Sequence, residues 1–213
     1  MDALTTAFEL QQERANAWTH ALGLALSIVG VPLLLFYSAA TSDTYHWWSL
    51  ALFGVSLLLV YFTSTLYHSV HHPRWKHLCR KADHISIYFL IAGTHTPFLV
   101  YCFPEDTGRF YLYLVWGMVL AGLAYKLFFF GRWEWLSVTF YLAMGWLGVV
   151  TIPQAMEAMP EATLNGVVLG GLFYTIGVIF YAWQRLPYHH AIWHLFVIGG
   201  SVSHFWAIWE LVV

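Results

Sequence analysis

Two histidines of this 213-residue chain, His190 and His194, stand one helical turn apart in the run His190-Ala191-Ile192-Trp193-His194. On a helix that spacing sets two imidazoles on one face, with Cβ atoms about 5–6 Å apart, which suits a single metal ion. Three histidines with one position left for water form the open arrangement of catalytic zinc, so a third imidazole must come from another element. His68 is the candidate. Asp83 is either a fourth ligand closing a structural site, or a carboxylate that holds water beside the metal and accepts its proton as the water attacks a carbonyl. The second role is preferred. Ser64 lies one turn before His68, so its hydroxyl points into the same space and can bond a substrate oxygen, the water or Asp83. Its structural alternative is a bond to its own helix carbonyl. Spacing alone does not establish a site: among 12 histidines chance supplies on the order of one such pair, and His68 with His72 makes another. The elements that carry these residues have to decide.

Those elements are apolar. Only 9% of residues are charged and 60% are hydrophobic, with a mean hydropathy of +0.63, whereas a soluble domain carries about a quarter charged residues. The composition is that of a membrane protein, and the net charge of -2 without a basic run excludes a nucleic-acid partner. The first apolar segment follows Asp2, Glu9, Glu13 and Arg14 rather than a basic run, and no small-residue cleavage motif follows it, so it reads as a retained helix. A bilayer crossing takes about 20 apolar residues. Polar breaks divide residues 1–213, read as one domain, into seven such spans: Trp18–Ser38, Trp47–His68, Asp83–Phe103, Phe110–Phe130, Trp135–Ile152, Leu164–Trp183 and His190–Leu211. The fold class is therefore all-α, an integral membrane bundle of seven transmembrane helices. Pro32 and Pro97 fall inside helices, and Gly170, Gly171, Gly199 and Gly200 permit close helix approach. Cys79 and Cys102 are separated by a helix of roughly 30 Å and are not expected to pair.

Charge sets the direction. Arg14, Arg74, Lys76, Arg80, Lys81, Lys126, Arg132 and Arg185 fall on one side of these spans and only Arg109 on the other. Cytoplasmic loops collect such residues, so the amino terminus is expected in the cytoplasm and the carboxyl terminus outside. His68, Asp83, His190 and His194 then share one depth at the cytoplasmic ends of their helices. Asn16 and His20, preceded by Glu13, lie near the same boundary and could supply hydrogen bonds behind the metal ligands. Ser201 and His204 continue the His190/His194 stripe deeper in the membrane, and His95 lies too far below Asp83 to join the site. His71, His72 and His77 are read as solvated members of a basic loop.

The run Glu13-Arg14-Ala15-Asn16-Ala17-Trp18-Thr19-His20, then Ser64-Thr65-Leu66-Tyr67-His68, Asp83-His84 leading to Ala92-Gly93-Thr94, and His190-Ala191-Ile192-Trp193-His194 resemble the hemolysin III family, the bacterial branch of the progestin and adipoQ receptor superfamily. The resemblance runs in order along nearly the whole chain. It implies seven helices with an inside amino terminus in the bacterial inner membrane, and Zn²⁺ held by His68, His190 and His194. It places Ser64 and Asp83 beside the metal and implies membrane lipids as partners. The layout looks like that of membrane-embedded alkaline ceramidases, which implies hydrolysis of a lipid or fatty-acyl amide or ester. A receptor-like or homeostatic protein with a structural zinc is the alternative, and an ion or proton pathway through His20, His68, His204 and Asp83 is a third reading. The family's name implies lysis, but no amphipathic pore-forming segment is present.

Overall fold

The computed structural model describes the backbone of residues 3–41, 46–150 and 152–213, all of it helix or short connection. Helix α1 spans Ala3–Thr41, α2 Trp47–Ser69, α3 Pro73–Cys102 and α4 Glu105–Phe128. Three shorter helices follow, α5 Glu134–Gly145, α6 Leu147–Val150 and α7 Ile152–Ala158, and then α8 Glu161–Ala182 and α9 His189–Val212. Six of these, α1 to α4, α8 and α9, are long and apolar enough to cross a membrane. Large side chains such as Trp18, Phe36, Tyr113 and Phe128 stand on the outer surface, each at least 70% exposed. An all-round apolar exterior of this kind is what hydrocarbon solvates.

Two helices begin earlier than hydropathy suggests. Nothing between Ala3 and Trp18 breaks a helix, and α1 continues through the polar run that holds Glu13 and Asn16. Helix α3 opens on Pro73, whose fixed φ suits a first helical position. Arg74, Lys76, His77, Arg80 and Lys81 are thus helical, and the basic loop expected there is the first turns of α3. Charge hid these turns from a hydropathy reading without weakening the helix. The segment expected as the fifth span is instead divided into α5, α6 and α7.

Helices α8 and α9 approach through small residues. A Cβ on Gly170 would overlap the His204 ring, one on Gly199 would meet Phe173, and one on Gly200 would meet Tyr174. Because lipid offers no hydrophobic gain for helix association, such close fits carry much of the packing energy. Gly171, read as one of this set, faces open space instead. Helices α2 and α3 are latched by a hydrogen bond from Thr63 Oγ1 to Ser86 Oγ at 3.0 Å, and Ser86 in turn donates to the Asp83 carbonyl at 2.6 Å. Cys79 and Cys102 are both free and buried.

Basic residues gather at one end of this bundle. Lys76 at the start of α3 bonds Glu13 of α1 and donates to the Tyr67 carbonyl at 2.9 Å, while Arg80 bonds Glu134 at 2.5 Å at the start of α5. Lys81 donates to the Leu127 carbonyl at the end of α4. Arg109 lies at the opposite end of α4 and pairs with Glu105.

Candidate functional site

At the basic end of the bundle three imidazoles from two helices converge. One ring nitrogen from each of His68, His190 and His194 falls within 4.8 Å of the others. The ring centroids of His190 and His194 are 4.5 Å apart, and His68 stands 5.1 Å from the first and 5.2 Å from the second. His68 and His194 are almost fully buried, at 3% and 2% exposure. His189, the neighbour of His190, turns away to bond the Phe180 carbonyl at 3.2 Å.

Two of the three imidazoles, those of His194 and His68, are oriented from behind. His194 Nδ1 lies 3.1 Å from the Asn16 carbonyl oxygen, which only accepts, so Nδ1 carries the proton and Nε2 keeps a lone pair. The Thr19 hydroxyl, 3.0 Å away, accepts from the same nitrogen while donating to backbone carbonyls of its own helix. His68 Nδ1 lies 3.3 Å from Glu13 Oε2, which fixes the same tautomer, and His68 Nε2 is buried without a hydrogen-bond partner. Backing of a ligand's far nitrogen by a carboxylate or carbonyl is the arrangement found behind metal-bound histidines. An orphaned, buried lone pair is otherwise costly. The donor set therefore fits a metal ion.

The residues behind the ligands were only partly readable from sequence. Asn16 acts through its carbonyl rather than its side chain, and Thr19, missed by sequence reasoning, sits in the same turn. His20 stacks on His194 with centroids 3.4 Å apart and planes 15° from parallel, and neither of its nitrogens has a hydrogen-bond partner. Asp83 on α3 and Ser64 on α2 are both buried outside the trio of nitrogens, and the Ser64 hydroxyl has no hydrogen-bond partner among the described residues. His71, His72 and His77 lie outside that trio as well.

From this cluster a cavity of about 320 Å³ runs into the bundle. Its inner end is lined by His20, Ser64, Asp83, His190 and His194, and it extends past Leu90, Phe98 and Val167 to His95 and His204. His204 is fourteen residues beyond His190, about 21 Å along a helix axis. Both far histidines donate from Nδ1 to a carbonyl of their own helix at 2.8 Å, Ile91 for His95 and Gly200 for His204. The cavity also reaches the surface between α5 and α8, where Gly145, Trp146, Val168 and Leu172 line it and are exposed. A Cβ at Gly145 or Gly171 would touch nothing. Helix α8 packs along α9, and α5 along α3 and α4. Sequence reasoning did not find this opening, because it depends on which helices fail to meet.

The Haemolysin-III related family model matches residues 8–205. The chain is 41% identical over 201 residues to a "Hemolysin-3 homolog" of Bacillus subtilis, covering 94% of each chain. It is 38% identical over 199 residues to "Hemolysin-3" of Bacillus cereus, covering 93% of this chain and 91% of the relative. The human "Monocyte to macrophage differentiation factor" is 30% identical over 207 residues, covering 93% of this chain and 84% of that one. With six helices of spanning length, the protein is a multi-pass integral membrane protein whose histidine trio is able to hold a metal. The chain belongs to the haemolysin III family.

Proposed function

We propose that this protein is a zinc-dependent hydrolase of a lipid amide or ester, with His68, His190 and His194 as the metal ligands and Asp83 and Ser64 as the groups that act on the substrate. The observation that carries this reading is the tautomer set behind the ligands, which leaves two Nε2 lone pairs aimed at one point beside a long apolar cavity. A closed structural site needs four protein ligands, and the trio has three. Bound zinc supplies Lewis acidity toward a water and a carbonyl oxygen. Asp83 accepts the proton of that water as its oxygen adds to the carbonyl carbon, then returns it to the leaving amine or alcohol as the C–N or C–O bond breaks. Ser64, whose buried hydroxyl has no hydrogen-bond partner among the described residues, is free to donate to the Asp83 carboxylate or to the substrate oxygen. The apolar cavity takes the acyl chain, which enters from the bilayer between α5 and α8.

In this reading the chain crosses the membrane seven times, α5 to α7 forming the fifth passage, with the basic end and the amino terminus in the cytoplasm. One observation favours a second reading, a zinc that clamps helices without chemistry: the ligands and the groups behind them join α1, α2 and α9. The two part at Asp83. Purified protein is expected to hold about one zinc per chain, and Asp83→Asn to keep that zinc while losing turnover of membrane lipids in a lipidomic comparison. Unchanged turnover with zinc retained would leave the clamp.

A further inference from the structure

Lys126, near the end of α4, is 1% exposed and lines the cavity, where it is the only lysine or arginine among the described residues. An ammonium group buried in a membrane bundle requires compensation, and residues of this kind are expected to face a partner or a ligand. Among the described residues Lys126 makes no ion pair. Its one hydrogen-bond partner is His84 Nδ1, at 3.2 Å, and the Phe130 ring lies 5.6 Å away. Glu134, a carboxylate lining the same cavity, is bonded to Arg80 and favours the Lys126 ammonium only through space, without an ion pair between them. The Asp83 carboxyl also lines the cavity and makes no ion pair with Lys126. The position of Lys126 in the last turn of α4 offers the helix dipole as partial compensation, but a dipole end does not replace a counter-ion in a buried site.

The Lys126–His84 contact has a directional consequence. An ammonium nitrogen only donates, so His84 Nδ1 accepts and its proton must sit on Nε2. His84 itself lines the cavity, and its backbone carbonyl is fixed by the Tyr141 hydroxyl at 2.7 Å. Lys126 keeps two further N–H groups, and the His84 ring presents one more donor. These donors share the cavity lining with the Asp83 and Glu134 carboxylates, and the remaining surface is mostly apolar.

We propose that Lys126 and His84 form an oxyanion site in the cavity wall, which takes the carboxylate or phosphate of an anionic single-chain lipid whose hydrocarbon tail occupies the apolar part. This rests on the reading of the cavity as a lipid site and narrows its ligand from lipids in general to anionic ones. Lys126 is a specificity-determining residue in this arrangement, acting on the charged end of the ligand, and it is separate from the histidine trio.

The test is binding to the detergent-purified full chain of three amphiphiles with one tail: oleate, 1-oleoyl lysophosphatidate and neutral monoolein. Oleate or lysophosphatidate is expected to bind the wild type, and whichever binds more tightly names the carboxylate or the phosphate as the natural head. Lys126→Met should weaken that ligand about tenfold to a hundredfold, the loss of a hydrogen bond to a charged group. Lys126→Arg should restore most of it. Monoolein should bind Lys126→Met and wild type alike, which shows that the cavity is intact in the variant, and zinc content should not change. Equal affinity of anionic lipid for wild type and Lys126→Met overturns the oxyanion site while leaving the hydrolase reading standing. Failure of the wild type to bind any of the three overturns both.

Discussion

At the scale of single residues, the site depends on groups that touch no metal. Glu13 fixes the His68 tautomer with its side chain, whereas the Asn16 carbonyl fixes that of His194. Substitution should therefore have unequal effects at two neighbouring positions. Glu13→Gln is expected to weaken zinc binding about 10–100-fold, as loss of a carboxylate behind a ligand usually does. Asn16→Ala keeps the backbone carbonyl and should stay within about threefold of wild type, while His194→Ala should lose the metal. Competition titration against a chelator measures all three. A large loss in Asn16→Ala would show that its side chain, and not its carbonyl, supports the ligand. The trio itself was legible from a one-turn spacing and a matching depth. Its backing was legible only in part: Asn16 and His20 behind Glu13 stood at the right boundary, but a backbone carbonyl leaves no trace in residue identity, His20 stacks on His194 instead of hydrogen-bonding, and Thr19 is an ordinary helix residue by spacing. The pairing of His84 with Lys126 was equally hidden, since 42 positions separate them and Lys126 read only as one of the charges that set direction.

At the scale of elements, the α8–α9 contact is set by glycines that are not equivalent. Added methyl groups meet His204 at Gly170 but nothing at Gly171. Gly170→Ala should cost about 1–3 kcal/mol through overpacking. Gly171→Ala should change stability by less than about 0.5 kcal/mol, or raise it slightly through helix propensity. Thermal unfolding of the detergent-solubilised protein separates the two, and equal effects would mean that α8 is rotated from the orientation described. A four-glycine pattern identifies the contact but cannot say which of two adjacent glycines faces the neighbour. The same limit applied to α1 and α3: hydropathy found their apolar cores, yet polar turns from Ala3 and from Pro73 extend both helices. Those turns bring Glu13, Lys76 and Arg80 to the site end, so the part of the fold that hydropathy undercounts is the part that positions chemistry.

At the scale of the whole molecule, the path of α5 to α7 decides on which face the chain ends. Six continuous helices of spanning length would return the carboxyl terminus to the side of the amino terminus, and a seventh passage sends it across. Glu134 opens α5 bonded to Arg80, near the start of α3. Met159, just past α7, packs against the cluster that contains Leu99 and Phe103 at the other end of α3. Arg80 and Phe103 are 23 residues apart, about 34 Å along a helix, comparable to a hydrocarbon core of about 30 Å. We propose on this ground that the broken segment makes the fifth crossing, although none of its pieces is long enough to do so alone. Breaks of this kind survive in a bilayer where irregular backbone lines a cavity rather than lipid, and α5 lines the cavity with Ser137, Tyr141 and Gly145. The expected result is an amino-terminal epitope reached by antibody only after spheroplasts are permeabilised, and a carboxyl-terminal epitope reached without it. Two epitopes protected together would mean that α5 to α7 turns back within the membrane, and the histidine trio would then have to be placed by its neighbours rather than by the count of crossings.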